Sequence, residues 1–358
     1  MAAIPRTDTA PETDAEAAAL AQARALVRDL QTPRAAIYWT DFLLSTLLGW
    51  GAFVMAVRAE NGSAMQVAMM IVAILAMYRA VIFVHELAHL GPRVWPGFRL
   101  VWNAVCGGPL LVQSYTYSGV HNLHHYRHLY GTKADGEYLP FARMGAFAII
   151  GHWALALVVP AFVLIRSLIL VPLSWFIPPL AKWLWESASS MTIDMAFRRQ
   201  RTAHDDPSWR LQDAYTWALA TVAAVLLVKG VLPWRVLLLW GVMVAGILLV
   251  NGTRTLAAHR YRYPGVRPLS VMEQFHDSVD VPGWPLVSSL WAPVGLRYHA
   301  THHLFPGMPY HNLGAAYRRL RGGLSDPSWF EQSSDRSLLS ALRRLFREAR
   351  GKAKLPVE

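Results

Sequence analysis

The chain has 358 residues, of which 54% are hydrophobic and only 16% charged, with a formal net charge of +11. A soluble domain carries about 25% charged residues, so this composition excludes an ordinary water-soluble globule and points to a polytopic membrane protein. In such a protein the basic excess reflects Lys and Arg in cytoplasmic loops rather than nucleic-acid binding. The single cysteine, Cys106, excludes an intramolecular disulfide and any Cys-ligated iron–sulfur or rubredoxin centre made by this chain alone.

Residues 1–37 lack the apolar core of a signal peptide. Thr13-Asp-Ala-Glu16 reads as a capping box that opens a short peripheral cytoplasmic helix reaching about Leu30. Four segments then approach the roughly 20 apolar residues needed to cross a bilayer: Asp41 to Val57, Ala64 to Val84, Ala214 to Val228 and Val231 to Val250. They form two hairpins, the second turning so tightly at Lys229-Gly230 that its helices are expected to be antiparallel neighbours. Placing Arg24, Arg28 and Arg34 inside sends the first helix out and the second back, which delivers His85 to the cytoplasmic edge. The second hairpin is entered from Arg198, Arg199 and Arg201 and leaves into Arg254, Arg260 and Arg262, so it delivers His259 to the same edge.

Two other apolar stretches do not fit a simple crossing. Trp102 to Gln113 is short and contains Gly107-Gly108-Pro109, which suits a re-entrant or interfacial segment. Phe147 to Leu180 is interrupted by Pro160, Arg166, Pro172 and Pro178-Pro179. Because both flanks look cytoplasmic, it should enter and return, as a hairpin or as helices along the interface. Leu338, Leu342, Leu345, Phe346 and Ala349 recur at helical spacing opposite Arg343, Arg344, Arg347 and Arg350, and Gly351 is the stop. This basic amphipathic tail (321–358) could dock on an anionic leaflet or pack against the rest of the cap.

Nine of the fourteen histidines form a pattern. His85-Glu-Leu-Ala-His89, His121-Asn-Leu-His124-His125 and His299-Ala-Thr-His302-His303 follow apolar segments, and His259 follows the last one. Residues three and four apart share a helix face, so each cluster projects its imidazoles together. Nine such ligands exceed what one ion can use and would suit two. Among the other histidines, His128 is expected to support a ligand or contact substrate, His152 to be a hydrogen-bonded core group, and His204, His276 and His311 to lie in surface or outer positions. Glu86, Asp135, Glu137, Glu273, Asp277 and Asp280 are the carboxylates near the boxes that could orient imidazole rings. Trp95, Trp102, Tyr115, Tyr117, Trp284 and Trp291 could line a substrate tunnel or form an interfacial belt.

His85-Glu86-Leu-Ala-His89 also matches the H-E-x-x-H pattern of zinc intramembrane proteases, with Glu86 as general base. That reading leaves both His-x-x-His-His boxes unexplained. A histidine-rich metal transporter would instead spread its ligands along a transmembrane path, whereas these lie outside the spans.

The three boxes, in this order and on this hydropathy profile, resemble the membrane fatty acid desaturase and hydroxylase superfamily over about residues 38–320. Tyr298-His299-Ala-Thr-His302-His303-Leu-Phe-Pro306 is similar to the family's third box and His121-Asn-Leu-His-His125 to its second. The resemblance implies an all-α, polytopic bundle of four membrane helices with extra re-entrant or interfacial helices, under a cytoplasmic histidine-rich cap with both termini on that side. It implies a non-haem di-iron centre held by His85, His89, His121, His124, His125, His299, His302 and His303, with His259 as the extra ligand. It further implies O2-dependent attack on an unactivated C–H bond of an apolar acyl or lipid substrate. A desaturase is the leading expectation; a hydroxylase or ketolase of a lipid, alkane or terpenoid is the alternative. Three residues separate the first-box histidines where some acyl-CoA desaturases have four, which shades the substrate away from acyl-CoA. Thr255 stands where part of the family has Asn, four residues before the extra histidine. With no His-Pro-Gly-Gly haem motif, reducing equivalents are expected from an external ferredoxin, rubredoxin or cytochrome with its reductase.

Overall fold

A computed structural model describes residues 12–90, 94–202, 205–265 and 267–351; His204 lies outside them. The described residues are helical, with no strand and three isolated bridges, His259 to Ser278 and Asp280 to Tyr298 and Ser334. Helix α1 (Asp14–Leu26) opens on the expected capping box, in which Thr13 and Glu16 satisfy each other's backbone N–H groups.

Four helices are long and apolar enough to cross a membrane: α2 (Ala35–Arg58), α3 (Ala64–His89), α7 (Trp209–Val228) and α8 (Trp234–Ala258). Each runs beyond its predicted apolar stretch, because polar residues near the ends are held by partners instead of ending the helix. Asp41, for example, pairs with Arg79 and accepts from Tyr310 Oη at 2.7 Å. Leu43, Leu44, Leu47 and Leu48 of α2 and Val222, Val225 and Val228 of α7 face outward. Such apolar exposure suits acyl chains, not water. Helices α2 and α3 pack closely along their length; at Gly49 an added Cβ would lie 2.6 Å from Met77 Cγ, so only glycine permits this approach. Helices α7 and α8 share the tight turn at Gly230 but diverge from it: α8 lies mainly on α3, while α7 packs on residues 166–174. The expectation of close neighbours therefore holds only near their turn.

Residues 96–111 form a short helix, Pro96–Trp102, continued by a wider turn through Asn103–Gly107. Irregular backbone beside lipid must have its polar groups satisfied by protein. Trp50 Nε1 donates to Val105 O at 2.8 Å, Tyr215 Oη to Ala104 O at 2.9 Å and Trp240 Nε1 to Pro109 O at 3.0 Å.

The long apolar stretch becomes a helix pair, α5 (Ala146–Ala154, continued to Leu157) and α6 (Val159–Ile165, continued to Ser174), bent by 49°. The bend itself is no reversal, but the chain returns after it: helix Pro178–Ala188 packs back on residues 166–174, with Arg166 Nε donating to Ala188 O at 2.7 Å. The pair lies across the histidine ends of α7 and α8. Trp153 Nε1 donates to Thr253 Oγ1 at 3.0 Å, and Arg166 Nη1 pairs with Asp213 of the first turn of α7 at 2.9 Å. The stretch therefore enters and returns, as the hairpin alternative has it, with the return leg at 178–188.

Below the long helices, α4 (Ser114–His124), α9 (Val271–Asp277), α10 (His299–Leu304), α11 (Tyr310–Gly323) and α12 (Leu338–Arg350) form a cap over one end of the bundle. Leu20, Ala23 and Val27 of α1 share a core with Phe275, Tyr317, Leu320 and Phe330. The apolar face of α12 is buried: Leu345 and Ala349 lie among Phe141, Leu256 and Tyr261, and Ala341 lies beside Ala257 and Val279. Packing within the cap accounts for that face.

Candidate metal centre

Each histidine group owes its position to a helix end. His85 and His89 occupy the last turns of α3, one helical turn apart on one face. His121 and His124 close α4, and His125 is its C-cap. His259 caps α8 with extended backbone (φ −133°, ψ 165°), which turns its side chain inward under the bundle. The third box forms the six-residue helix α10. A helix this short is marginal alone. It is fixed by buried Asp280, which accepts from Thr301 N at 3.0 Å and Thr301 Oγ1 at 2.6 Å.

The nine rings meet as two adjacent groups. His85, His89, His121, His125 and His302 form one; His124, His259, His299 and His303 form the other, and in each a ligand atom per residue lies within 4.8 Å of all the others. The groups touch through His125 and His303, whose ring centroids are 4.4 Å apart. Ring nitrogens face one another: His89 and His121 Nε2 are 2.9 Å apart, His125 and His302 Nε2 3.1 Å, and His259 and His299 Nε2 2.9 Å. Both ring nitrogens of buried His85 lack any hydrogen-bond partner among the described residues. An imidazole buried with both nitrogens unpartnered, amid eight others whose ring nitrogens converge, is unfavourable in a dry interior unless a cation lies among them. This donor set therefore fits a pair of imidazole-preferring metal ions.

A second layer of acceptors sets the ring tautomers. His121 Nδ1 faces Glu137 Oε2 at 3.0 Å and Tyr117 Oη at 3.0 Å, and His124 Nδ1 faces Asp135 Oδ2 at 2.8 Å. His259 Nδ1 meets Tyr130 Oη at 2.9 Å, and that hydroxyl donates to Asp277 Oδ2 at 2.8 Å. Each of these leaves Nε2 free for a metal. Burial, reinforced for most by neighbouring imidazoles, holds His121, His125, His259, His299, His302 and His303 well below the ordinary histidine range. At His124 burial also acts downward, but the adjacent Asp135 carboxylate outweighs it and the net shift is upward.

Other sequence candidates lie elsewhere. Glu86 turns away from the rings, accepting from Tyr310 N at 3.2 Å and from the Tyr38 hydroxyl. His85 Nδ1 is 3.5 Å from it, beyond a good hydrogen bond. A protease's general base would have to face the metal, so this orientation counts against the zinc reading. Glu273 caps α9 through Ser270 and pairs with Arg267, away from the cluster. His128 stacks on Tyr126, His276 lies tilted beside Phe275, and His311 accepts from Arg34 N at 3.2 Å. His152, expected as a core group, is half-buried, with its ring against Phe141 at 5.1 Å between centroids, and it lines the cavity that reaches the histidines. Tyr117 and Tyr130 were not singled out as ring partners by sequence reasoning; only the fold brings Tyr130 to His259.

A cavity of about 450 Å³ ends on His121, His124, His259 and His299. Its walls are mainly apolar, with Leu155, Val158, Val159 and Phe162 of the bent pair and Leu248 of α8, and carry polar side chains such as Gln113, Asn251 and Arg254. Of the six aromatics expected near a tunnel, only Tyr117 lines it. Trp102 and Tyr115 are buried structural residues, Trp95 packs on Tyr38, Trp291 joins the core, and Trp284 is exposed.

A helical membrane oxidoreductase with paired histidine clusters beneath an apolar cavity is the class that fold and site define. The fatty acid desaturase family matches residues 61–333, and the chain belongs to that family. It is also 40% identical, over 331 residues, to a ceramide hydroxylase of Caulobacter vibrioides (strain NA1000 / CB15N), covering 92% of this chain and 94% of that protein.

Proposed function

We propose that the protein is an O2-dependent hydroxylase of a long-chain lipid of the ceramide class. The observation that carries this reading is the near full-length similarity to a ceramide hydroxylase. It moves the hydroxylase alternative ahead of the desaturase expected from sequence. In this reading His85, His89, His121, His125 and His302 hold one iron, and His124, His259, His299 and His303 the other. When bound, the irons would supply the activation of O2, with two external electrons, to oxidise an unactivated C–H bond.

The chain's own work is support and positioning. Glu137, Asp135 and the Tyr130–Asp277 pair fix the imidazoles in the tautomer that presents Nε2. Leu155, Val158, Val159 and Phe162 hold an acyl chain against the histidine wall and exclude water. Basic residues flanking the spans support placing the histidine end and both termini in the cytoplasm. There a soluble or membrane-anchored electron donor can reach the cap.

Lipid extracts of expressing and non-expressing cells, compared by mass spectrometry, test the reading. A ceramide-class lipid that gains one oxygen is the expected result. Loss of two hydrogens would move the assignment to desaturation, and an unchanged lipid profile with an iron-loaded protein would overturn it.

A further inference from the structure

The cavity is mainly apolar, and among its polar lining residues four carry a buried atom without a partner among the described residues: His299 Nδ1 on the histidine wall and, away from the ring cluster's own ligands, Arg254 Nε, Ser190 Oγ and Glu137 Oε1. Arg254 lies in the last turns of α8, only 9% exposed. Its Nη2 donates to Asn251 Oδ1 at 3.1 Å and the guanidinium also reaches the Tyr78 hydroxyl, which aims it, and no ion pair to a carboxylate is formed among the described residues. A buried guanidinium without a counter-ion is costly and is retained where it does something. Ser190 belongs to a strap that clasps the Glu137 segment, since Ile193 N donates to Gly136 O at 2.8 Å and Met191 N to Thr116 O at 2.9 Å. The strap brings serine and carboxyl to one wall of the cavity.

We propose that Arg254, Ser190 and the free oxygen of Glu137 form a subsite for the substrate's neutral polar head, a group that both donates and accepts hydrogen bonds, such as a secondary amide with an adjacent hydroxyl. Arg254 can only donate, Ser190 can do either, and Glu137 presents a carboxyl oxygen. An amide or alcohol satisfies all three. An ester or ether only accepts, a carboxylate head would meet Glu137 as a like group, and an alkane would leave every one unpaired. The subsite would fix how far the acyl chain reaches along the histidine wall, and so which carbon meets the metal centre. This inference rests on the lipid-hydroxylase reading above and adds the head-group class.

The test is equilibrium binding to the iron-loaded protein in nanodiscs, using a long-chain ceramide, the free fatty acid of matching chain and the matching alkane. Wild type should bind ceramide best. Arg254→Leu should weaken ceramide roughly ten- to a hundred-fold, the effect of losing a charge-assisted hydrogen bond. Alkane affinity and iron content should stay unchanged, with Arg254→Lys retaining part of the ceramide affinity. Ser190→Ala, which removes only a hydroxyl and should fold normally, should cost a few-fold on ceramide alone. The proposal is overturned if wild type binds the alkane or the fatty acid as well as ceramide, or if neither Arg254→Leu nor Ser190→Ala alters ceramide affinity. Wild type that binds ceramide through Arg254 yet adds no oxygen to it would instead sink the hydroxylase reading and leave the subsite standing.

Discussion

Glu86 Oε2 accepts the backbone N–H of Tyr310 at 3.2 Å, joining the end of the second membrane helix to the segment that follows the third histidine box, 224 residues later. The same oxygen takes the Tyr38 hydroxyl, so one buried carboxylate fastens α2, α3 and α11 together. Glu86→Ala would strand both donors in a dry interior, at a cost of about 2–4 kcal/mol. A lower melting temperature in detergent is expected, with Glu86→Gln milder because its amide oxygen still accepts. Equal melting of Glu86→Ala and wild type would remove the fastening role.

His302→Ala deletes a ring from the five-histidine group while leaving the four-histidine group whole. Iron per chain, measured by plasma mass spectrometry, should fall from about two toward about one or less. Circular dichroism should be unchanged. His311→Ala, whose ring lies on the backbone of Arg34, should keep its iron and serves as the control.

Asp135 and Glu137 touch no metal position directly but orient His124 and His121. Asp135→Asn preserves shape and removes charge. It should lower iron affinity or turnover roughly 10–100-fold, detectable as faster iron loss to a chelator. Retention of iron at the wild-type rate would argue that ring orientation is set elsewhere.

The six imidazoles depressed by burial make the metal-free protein acid-sensitive. A folded-state value below the unfolded 6.5 means the unfolded chain binds protons more readily. Their contribution to stability is therefore full above 6.5 and is lost as pH falls below it. His124, shifted the other way, opposes this only in part. Melting of the chelator-treated protein should drop between about pH 7.5 and about pH 5.5, and a flat profile would contradict the buried, neutral state of these rings.

Much of the site was readable from spacing. Histidines three and four apart on helix ends converge because helical geometry leaves them no other choice, and apolar length located the four long helices, though at one end each runs five to eight residues further than expected. His259 was found by depth alone. What escaped depended on distant chain meeting in space. Glu86 sits inside an H-E-x-x-H string, yet its carboxylate points the other way because Tyr38 and Tyr310 arrive there. Tyr130 carries no local signal for touching His259. How residues 146–188 turn back could not be read from hydropathy, since it is the Arg166–Ala188, Arg166–Asp213 and Trp153–Thr253 ties that hold the stretch at the histidine end. Arg254 read as one more loop-facing basic residue, although it is buried in the cavity wall.

The division of the nine rings has a bearing on biosynthesis. A nascent chain that stops short of residue 299 presents four rings of one group and two of the other. Neither group can be complete before His302 and His303 are made, so in the proposed reading the full pair of metal sites would exist only once the third box is in place.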